Sequence, residues 1–206
     1  MEKLNAAIIG MGFIGRQHYE ALRRLTGVHI RAICVSRPEH IERTKAEFDA
    51  DYVTADWREI MADPEIHTVH NCTPNIAHDE VNLAAVSAGK HIYAEKPMSI
   101  TTEGAEKVAA AAKAAGVANA INHQYRMNAA VLEMRARIAA GMSGKILYVS
   151  GRYMQDSVAR HDDYTPRRIP ETSPARALLD IGVHWADTAS FVTGTPVPIL
   201  CQSLFP

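Results

Sequence analysis

Cysteine is scarce in this sequence, and its few copies are not spaced as a disulfide framework. The three cysteines, Cys34, Cys72 and Cys201, each lie in an apolar run, and no CxxC spacing occurs. Disulfide-stabilised secreted scaffolds need many more cysteines, so that class of protein is excluded. Isolated thiols are typical of a reducing compartment, and we expect a cytoplasmic protein.

Long apolar runs and a surplus of either charge are missing as well. No apolar run approaches the roughly 20 residues of a membrane-spanning helix. The first residues lead almost directly into a candidate strand, without the basic and apolar segments of a signal peptide. The formal net charge is -1, and no basic patch is visible. We therefore expect a soluble protein with no nucleic-acid or membrane partner.

What the sequence does contain is the composition and periodicity of an α/β protein. Apolar residues make up 47% and charged residues 22%, which allows a sizeable core and excludes a disordered or collagen-like chain. Short β-branched runs alternate with helical patterns, as in a parallel sheet with helices on both faces. The candidate strands span residues 6–9, 29–35, 52–53, 68–71, 91–94 and 117–121, and the clearest helices span 13–25, 75–88 and 101–115.

The pattern changes after about residue 122, which predicts a domain boundary. Beyond it we predict a helix, a strand, a long polar loop and a final helix, over residues 129–140, 145–153, 156–174 and 175–193. Loops as long as the third of these segments are usually functional or disordered. We predict one complete domain over residues 1–122 and a second, partial domain over residues 123–206.

The clearest chemical motif is a GxGxxG sequence between the first strand and the first helix. Gly10 permits a tight turn, Gly12 lets a pyrophosphate approach the backbone, and Gly15 lets the helix pack on the strand. Amides of the first helical turn, which includes Phe13 and Ile14, then face the phosphates. We predict a dinucleotide site here in preference to a purely structural glycine turn.

The end of the second strand lacks the carboxylate that usually holds the adenosine ribose of NAD. Ser36 and Arg37 follow this strand instead. A hydroxyl and a guanidinium suit a ribose 2′-phosphate, so the sequence favours NADP over NAD. The open alternative is that Arg37 is a solvated loop charge beside Pro38.

A polar cluster follows the fourth strand, at the edge where ligands gather in open α/β sheets. Thr73, Pro74 and Asn75 form it, with His78 one helical turn beyond. These residues are candidates for contacts with the cofactor. The alternative, equally supported by the local sequence, is a turn in which Thr73 or Asn75 caps the next helix.

The fifth strand is followed in the same way by Glu95, Lys96 and Pro97. An ammonium group held there could donate a proton to a substrate, or accept one, after a modest change of pKa. Without further context, Lys96 would be read as an ordinary surface lysine.

The final helix carries a polar stripe beside its apolar one. Asp180, His184 and Asp187 recur at i, i+4 and i+7, so a carboxylate and an imidazole share a face. They could relay a proton from a substrate hydroxyl, or supply part of a metal site. A surface ion pair is the plainer alternative. His67 and His70 lack a third ligand, and we predict no metal site.

In combination, these stretches resemble the glucose-fructose oxidoreductase and inositol dehydrogenase family of NAD(P)-dependent sugar dehydrogenases. Four segments carry the resemblance, in the order and with the separations of the family: residues 8–18, 72–78, 88–97 and 178–184. The Glu-Lys-Pro turn together with the Asp-x-Gly-x-x-His pattern is far more specific than the glycine motif.

The resemblance implies a Rossmann domain joined to an α+β domain with an open-faced sheet, with the nicotinamide and the substrate between them. Members of the family transfer a hydride between the nicotinamide and a hydroxyl-bearing carbon of a sugar, cyclitol or related polyol. By similarity, His184 would exchange the hydroxyl proton, Lys96 would polarise the same oxygen, and Asp180 would position the substrate or the imidazole. The carboxyl-edge clusters, including Glu95, would border the cofactor.

Departures from the family pattern leave a second reading open. Asn128 is not followed by the usual proline, residues 173–176 replace a glycine-rich segment, and family members are considerably longer. We expect a truncated member that either forms a homo-oligomer through its apolar segments over residues 145–155 and 199–205, or is disordered and only weakly active. A catalytically silent dinucleotide-binding or regulatory protein is the alternative to an active dehydrogenase.

Overall fold

The computed structural model describes residues 3–154 and 177–196, and the chain divides into two compact units, Met1–Asn122 and His123–Pro206. The predicted polar loop over residues 156–174 lies outside the described residues. The apolar segment over residues 199–205, which includes Cys201, lies outside them as well.

The first unit is built on a six-stranded parallel sheet. Its strands are β1 (Leu4–Ile9), β2 (Val28–Cys34), β3 (Tyr52–Thr54), β4 (Thr68–Asn71), β5 (His91–Ala94) and β6 (Asn119–Ile121). They pair in the order β3-β2-β1-β4-β5-β6, all parallel. This is the strand order of a dinucleotide-binding Rossmann fold, which confirms the predicted fold class.

Five α-helices connect these strands. They are α1 (Phe13–Leu22), α2 (Ile41–Glu47), α3 (Trp57–Ala62), α4 (His78–Ser87) and α5 (Thr102–Ala115). The three long predicted helices are confirmed, although α1 ends at Leu22 and a 3₁₀ turn, Asn75–Ala77, precedes α4. The sequence did not single out α2 and α3, because helices of 7 and 6 residues complete too few turns to show periodicity.

Alternate side chains of β1 belong to two separate hydrophobic clusters, one on each face of the sheet. Ala7 and Ile9 join a cluster that includes residues of α4 and α5, whereas Ala6 and Ile8 join one that includes Tyr19 of α1. All four of these β1 residues are at most 2% exposed. A strand buried on both faces reads as a continuous apolar run, which is why β1 was easy to predict.

Polar side chains cap the starts of two of these helices, α3 and α5. The Thr101 hydroxyl accepts a hydrogen bond from the Gly104 amide at 3.0 Å, and Asp56 caps α3 in the same way. Gly116 ends α5 at φ +67°, a left-handed conformation that favours glycine. No helix within the described residues is long and apolar enough to cross a membrane.

The described part of the second unit is helical. A 3₁₀ turn, Gln124–Met127, leads into α6 (Ala129–Ala139), and a π-helical turn, Leu178–Gly182, leads into α7 (Val183–Thr193). The predicted helix over 129–140 is confirmed, and the final predicted helix is confirmed within the described residues. Its first turn is wider than an α-helical one.

Residues 145–153, which we predicted as a strand from their alternation, do not form one. The N–H and C=O groups of a strand need a neighbouring strand, and the described residues of this unit include none. Leu147 and Tyr148 are 86% and 84% exposed, so these two side chains join no core. Alternation records the two faces of a segment but carries no information on whether a pairing strand exists. The predicted open-faced sheet is therefore absent from the described residues.

Candidate functional site

The GxGxxG turn joins β1 to α1 at the carboxyl edge of the sheet. Gly10 adopts φ +97°, and a Cβ atom there would overlap the backbone carbonyl of Cys72. A Cβ atom on Gly15 would overlap the carbonyl oxygen of Gly10. Around Gly12, by contrast, no atom lies within 4 Å of where a Cβ would stand. Two of the glycines therefore serve packing, and Gly12 leaves open space in front of the helix.

The first turn of α1 is open to an anion. Gly12 is the N-cap residue, no side chain caps the helix, and the first turn contains no acidic residue. The leading amides of a helix have no partners within the helix and carry partial positive charge. Phe13, 79% exposed, flanks this turn, whereas Ile14 packs against the hydrophobic cluster beneath it. The space and the amides together fit the pyrophosphate of a dinucleotide.

Ser36 and Arg37 lie exposed just beyond the carboxyl end of β2. The Arg37 guanidinium is 3.9 Å from the Glu39 carboxylate, and both side chains remain about two-thirds exposed at 68% and 64%. Exposed pairs of this kind are weak and yield readily to a better anion. Arg37 therefore stays available for a phosphate group.

Asn71, at the end of β4, shapes the turn that follows this strand. Its side-chain oxygen accepts hydrogen bonds from the Thr73 hydroxyl at 2.6 Å and from the Thr73 amide at 3.2 Å. Its amide nitrogen donates to the Asn82 side chain at 2.9 Å. Neither α4 nor the 3₁₀ turn before it has a side-chain cap, so the alternative that Thr73 or Asn75 caps the helix is wrong. Pro74 is exposed and Asn75 half-buried beside this turn.

His78 is buried between two loops. Its Nδ1 lies 2.6 Å from the Pro97 carbonyl oxygen, and its Nε2 lies 3.0 Å from the Thr73 carbonyl oxygen. The residue is 0% exposed. Both ring nitrogens thus face backbone carbonyls, and the imidazole links the loop after β4 to the loop after β5.

Glu95 and Lys96 follow β5 with contrasting environments. Lys96 is half-buried and its peptide bond to Pro97 is cis. The Glu95 side chain is only 7% exposed, and its Oε1 lies 3.1 Å from His18 Nε2 and 2.6 Å from the amide nitrogen of Asn122. Burial acts to raise the pKa of Glu95, but hydrogen bonds from His18 and Asn122 outweigh it and lower the pKa. Glu95 is therefore held as a carboxylate inside the protein.

The bonding around Glu95 extends to residues that sequence reasoning did not assign to the site. His18 Nδ1 lies 3.0 Å from His70 Nδ1, and the Tyr93 hydroxyl donates to the Asn122 side-chain oxygen at 3.0 Å. Burial, and then the neighbouring His18, lowers the pKa of His70 to about 3. The available signal was a histidine on the sheet-facing side of α1, three residues after the last glycine of the motif.

In the second unit, His184 is 4% exposed and lies among aromatic side chains. The Tyr125 ring is 4.7 Å from its ring, centroid to centroid, and the Tyr153 ring is 6.3 Å away. The two phenol oxygens lie 2.6 Å apart, and their hydrogen bond raises the pKa of Tyr125. Sequence analysis did not identify these tyrosines, because they are distant in sequence from the helix that they accompany.

The predicted polar stripe of three residues is not a single unit. Asp180 lies in the π-helical turn and His184 in the first turn of α7, so their spacing is that of a widened helix. Such turns are frequent at functional sites. Asp187 instead accepts hydrogen bonds from the Arg126 guanidinium, with Nε at 2.8 Å from Oδ2. The largely buried Asp187 therefore forms an ion pair with a residue outside the helix, which is not the pair on the helix surface that the alternative described.

In the described part of the chain, no group of three or more histidine, cysteine, aspartate or glutamate side chains could hold a metal ion. Cys72 is buried beneath the GxGxxG turn, where burial and the nearby Glu95 raise the pKa of its thiol.

Comparison with known proteins gives consistent matches over both units. Levoglucosan dehydrogenase of Pseudarthrobacter phenanthrenivorans is 33% identical over 203 residues, which are 94% of this chain and 52% of that protein. The NADP-dependent scyllo-inositol 2-dehydrogenase IolW of Bacillus subtilis is 31% identical, over 95% of this chain and 53% of its own length. The chain thus spans about half the length of the curated relatives it matches.

Solved structures agree with these matches. Levoglucosan dehydrogenase in complex with NADH superimposes with a TM-score of 0.88 at 33% identity, over 94% of this chain and 54% of that one. The family model described as an oxidoreductase family with an NAD-binding Rossmann fold matches residues 4–123, and that of the GFO/IDH/MocA C-terminal domain matches residues 131–203. The chain therefore belongs to the GFO/IDH/MocA oxidoreductase family.

Proposed function

We propose that the protein is an oxidoreductase that transfers a hydride between a nicotinamide dinucleotide and a hydroxyl-bearing carbon of a sugar, cyclitol or related polyol. The observation that carries the proposal is the open phosphate cradle at Gly12, which lies on the same sheet edge as the Lys96 turn. Family membership and the substrates named for the relatives support this reading over a catalytically silent binding protein.

The cofactor-binding role falls to the loops at the carboxyl edge of the sheet. The α1 amides beside Gly12 would bind the pyrophosphate, and Phe13 would border it. Loop residues 73–75 would border the nicotinamide half of the cofactor. His78 and Glu95 would support this surface through their buried hydrogen bonds rather than contact the cofactor with their side chains.

We infer that the cofactor is NADP in preference to NAD. The exposed Arg37 guanidinium and the adjacent Ser36 hydroxyl would bind a ribose 2′-phosphate. Ser36 stands where a carboxylate would repel that phosphate. The relatives include a structure that contains NADH and an enzyme named for NADP, so both forms occur in the family. Titration with each cofactor tests the preference: tighter binding of NADP supports it, and equal affinities contradict it.

The proposed chemistry divides the work among three side chains. When bound, the nicotinamide supplies the hydride chemistry at its C4. Lys96 would donate a hydrogen bond to the reacting oxygen, His184 would exchange its proton, and Asp180 would orient the substrate or the imidazole. Such interactions accelerate the reaction only where they strengthen as charge develops on the oxygen.

A dehydrogenase screen of the chain tests this function. It would be run with both cofactors against levoglucosan, scyllo-inositol, glucose and sugar acids, and would be repeated with Lys96→Met. We expect Lys96→Met to lower kcat by about 100-fold or more, the scale of lost acid–base assistance, with the cofactor dissociation constant changed less than about threefold.

Lys113→Met is the matched control, because Lys113 lies exposed near the end of α5. It should behave as the parent chain does. Unchanged turnover in Lys96→Met would contradict the role of Lys96. Absence of dinucleotide-dependent turnover with every polyol, despite tight cofactor binding, would favour the silent alternative.

A further inference from the structure

A buried polar network lies under the Lys96 turn, and the proposed reaction does not use it directly. It consists of His18 on α1, His70 on β4, Tyr93 on β5, Glu95 after β5 and Asn122 after β6. Three of its members, His18, His70 and Glu95, are no more than 9% exposed. Polar side chains buried to this degree are costly unless their hydrogen bonds are made.

The direction of the bond between His18 and Glu95 follows from its chemistry. A carboxylate only accepts hydrogen bonds, so His18 Nε2 must carry a hydrogen and donate it to Glu95 Oε1. The facing nitrogens of His18 and His70 need one donor and one acceptor between them. Whichever ring supplies that donor, the Nε2 hydrogen of His18 stays directed at Glu95.

The second oxygen of Glu95 extends the network to the proposed catalytic residue. Glu95 Oε2 accepts a hydrogen bond from the Lys96 backbone amide at 3.3 Å. Its Oε1 is shared between His18 and Asn122, which fixes the plane of the carboxylate. The Asn122 amide is itself oriented by the Tyr93 hydroxyl. The position of the Lys96 backbone is thus tied to a carboxylate that the network holds.

His18 belongs to the same helix as the phosphate cradle. It lies six positions after Gly12, on the face of α1 that is buried against the sheet. One hydrogen bond therefore joins the helix proposed to bind the pyrophosphate to the turn that carries Lys96.

We propose that His18 is a positioning residue, which acts through Glu95 to hold the Lys96 turn in register with the phosphate-binding helix. The proposal rests on the proposed function for the role of Lys96, but the link itself is a property of the first unit alone. Removing the donor would leave Glu95 as a buried carboxylate with one partner fewer, and the Lys96 amide would lose a fixed acceptor.

Two substitutions of His18 separate this role from simple packing. In His18→Gln the side-chain nitrogen lies near the former Nε2 and keeps a donor for Glu95. In His18→Asn it lies near the former Nδ1 and reaches only toward His70. The same pair of substitutions at His40, an exposed histidine before α2, is the control. The readouts are the exchange rate of the Lys96 amide hydrogen by NMR, and kcat and KM with the best substrate of the screen.

We expect His18→Asn to speed exchange of the Lys96 amide and to lower kcat by about tenfold or more each, as for a lost hydrogen bond to a charged group. KM should change little, because His18 is buried beneath the proposed site. His18→Gln and both His40 variants should stay within about threefold of the parent, since each keeps the donor to Glu95. Equal behaviour of the two His18 variants, whether both match the parent or both lose function, would overturn the proposal.

A second variant and the choice of readout keep the test decisive. If His18→Asn does not fold, Glu95→Gln tests the same link, because it keeps the shape of the side chain but weakens the acceptor. Faster Lys96 exchange would support the proposal and unchanged exchange would overturn it. Amide exchange is measured without substrate. A failed dehydrogenase screen would therefore count against the proposed function, and the exchange rate of the Lys96 amide would still test the role of His18.

Discussion

The three glycines of the GxGxxG motif have different surroundings, and only Gly12 leaves space for a ligand. Gly10 and Gly15 are surrounded by backbone, whereas Gly12 faces open space. The motif predicted all three positions because the requirements of a tight turn are local in sequence. The motif could not show which of them face a ligand, since the atoms that crowd Gly10 belong to Cys72, which follows β4.

Substitution at Gly12 should therefore affect binding without affecting stability. We expect Gly12→Ala to weaken dinucleotide binding by about tenfold or more, because the methyl group occupies space that the pyrophosphate needs. The melting temperature should stay near that of the parent. Gly27→Ala is the matched control, since Gly27 also has no atom within 4 Å of its Cβ position but lies outside the site. Equal affinities of the two variants in fluorescence titrations would contradict this assignment.

The buried His70 predicts a pH dependence of stability. Its pKa is about 3 in the folded chain, below the ordinary value of about 6.5 that applies after unfolding. Between these values the unfolded chain binds one more proton, so the free energy of unfolding falls as the pH drops below about 6.5. The slope contributed is about 1.4 kcal/mol per pH unit.

Urea unfolding of the parent, His70→Gln and His40→Gln at pH 7 and pH 5 measures this contribution. His70→Gln should lose less stability than the parent over this interval, because its side chain does not titrate. His40→Gln should keep the loss shown by the parent, since His40 is exposed. An identical loss in all three chains would rule out the contribution of His70.

At the scale of elements, α7 shows what periodicity cannot resolve. Polar residues at i, i+4 and i+7 predict one helical face, but the π-helical turn over Leu178–Gly182 contains Asp180 and widens the helix before His184. The extra residue of a π-helical turn cannot be recognised from the spacing of apolar residues in the sequence. The ion pair of Asp187 was equally hidden, since its partner Arg126 is distant in sequence.

The pair of Arg126 and Asp187 should contribute to the stability of the second unit. Asp187 is only 11% exposed in its side chain, and Arg126 binds both of its oxygens. We expect Arg126→Met to lower the free energy of unfolding by about 1–3 kcal/mol, because it leaves a largely buried carboxylate with poorer hydrogen bonding.

Arg137→Met is the comparison for this element. Arg137 forms an exposed i, i+4 pair with Glu133 on α6, with side chains 59% and 61% exposed. Its loss should cost no more than about 0.5 kcal/mol. Thermal unfolding followed by circular dichroism would report both changes, and equal losses would show that the Arg126 pair has no special weight.

For the molecule as a whole, the parallel sheet was predictable, and in the second unit the two helices were predictable but the structure of residues 145–153 was not. Short apolar runs at regular intervals indicate a parallel sheet from the sequence. The central strand β4 is buried on both faces, whereas β5 is buried on one face and β6 is mostly exposed. The segment over residues 145–153 has the alternation of a strand, but its structure depends on a neighbour that alternation cannot supply. A cytoplasmic location and a homo-oligomeric state remain predictions.

Self-association is expected from the exposed apolar side chains of the segment over residues 145–155. Leu147, Tyr148 and Met154 are 86%, 84% and 76% exposed, a concentration of apolar surface that favours association. We expect the parent to sediment faster as its concentration rises, and Leu147→Asp combined with Tyr148→Asp to reduce this effect. Met142→Asp, at a residue 70% exposed outside the segment, should not. A parent that stays monomeric at every concentration would disprove the expectation.

The position of His78 between two loops has a consequence for protein engineering. The two ring nitrogens of one imidazole lie 3.0 and 2.6 Å from carbonyl oxygens of two loops that are more than 20 residues apart along the chain, those of Thr73 and Pro97. Each loop is thus fitted to the other and to the ring between them. In recombination between family members, the two loops and the start of α4 should be exchanged together. A chimera that takes them from different parents would combine loops that are not fitted to each other.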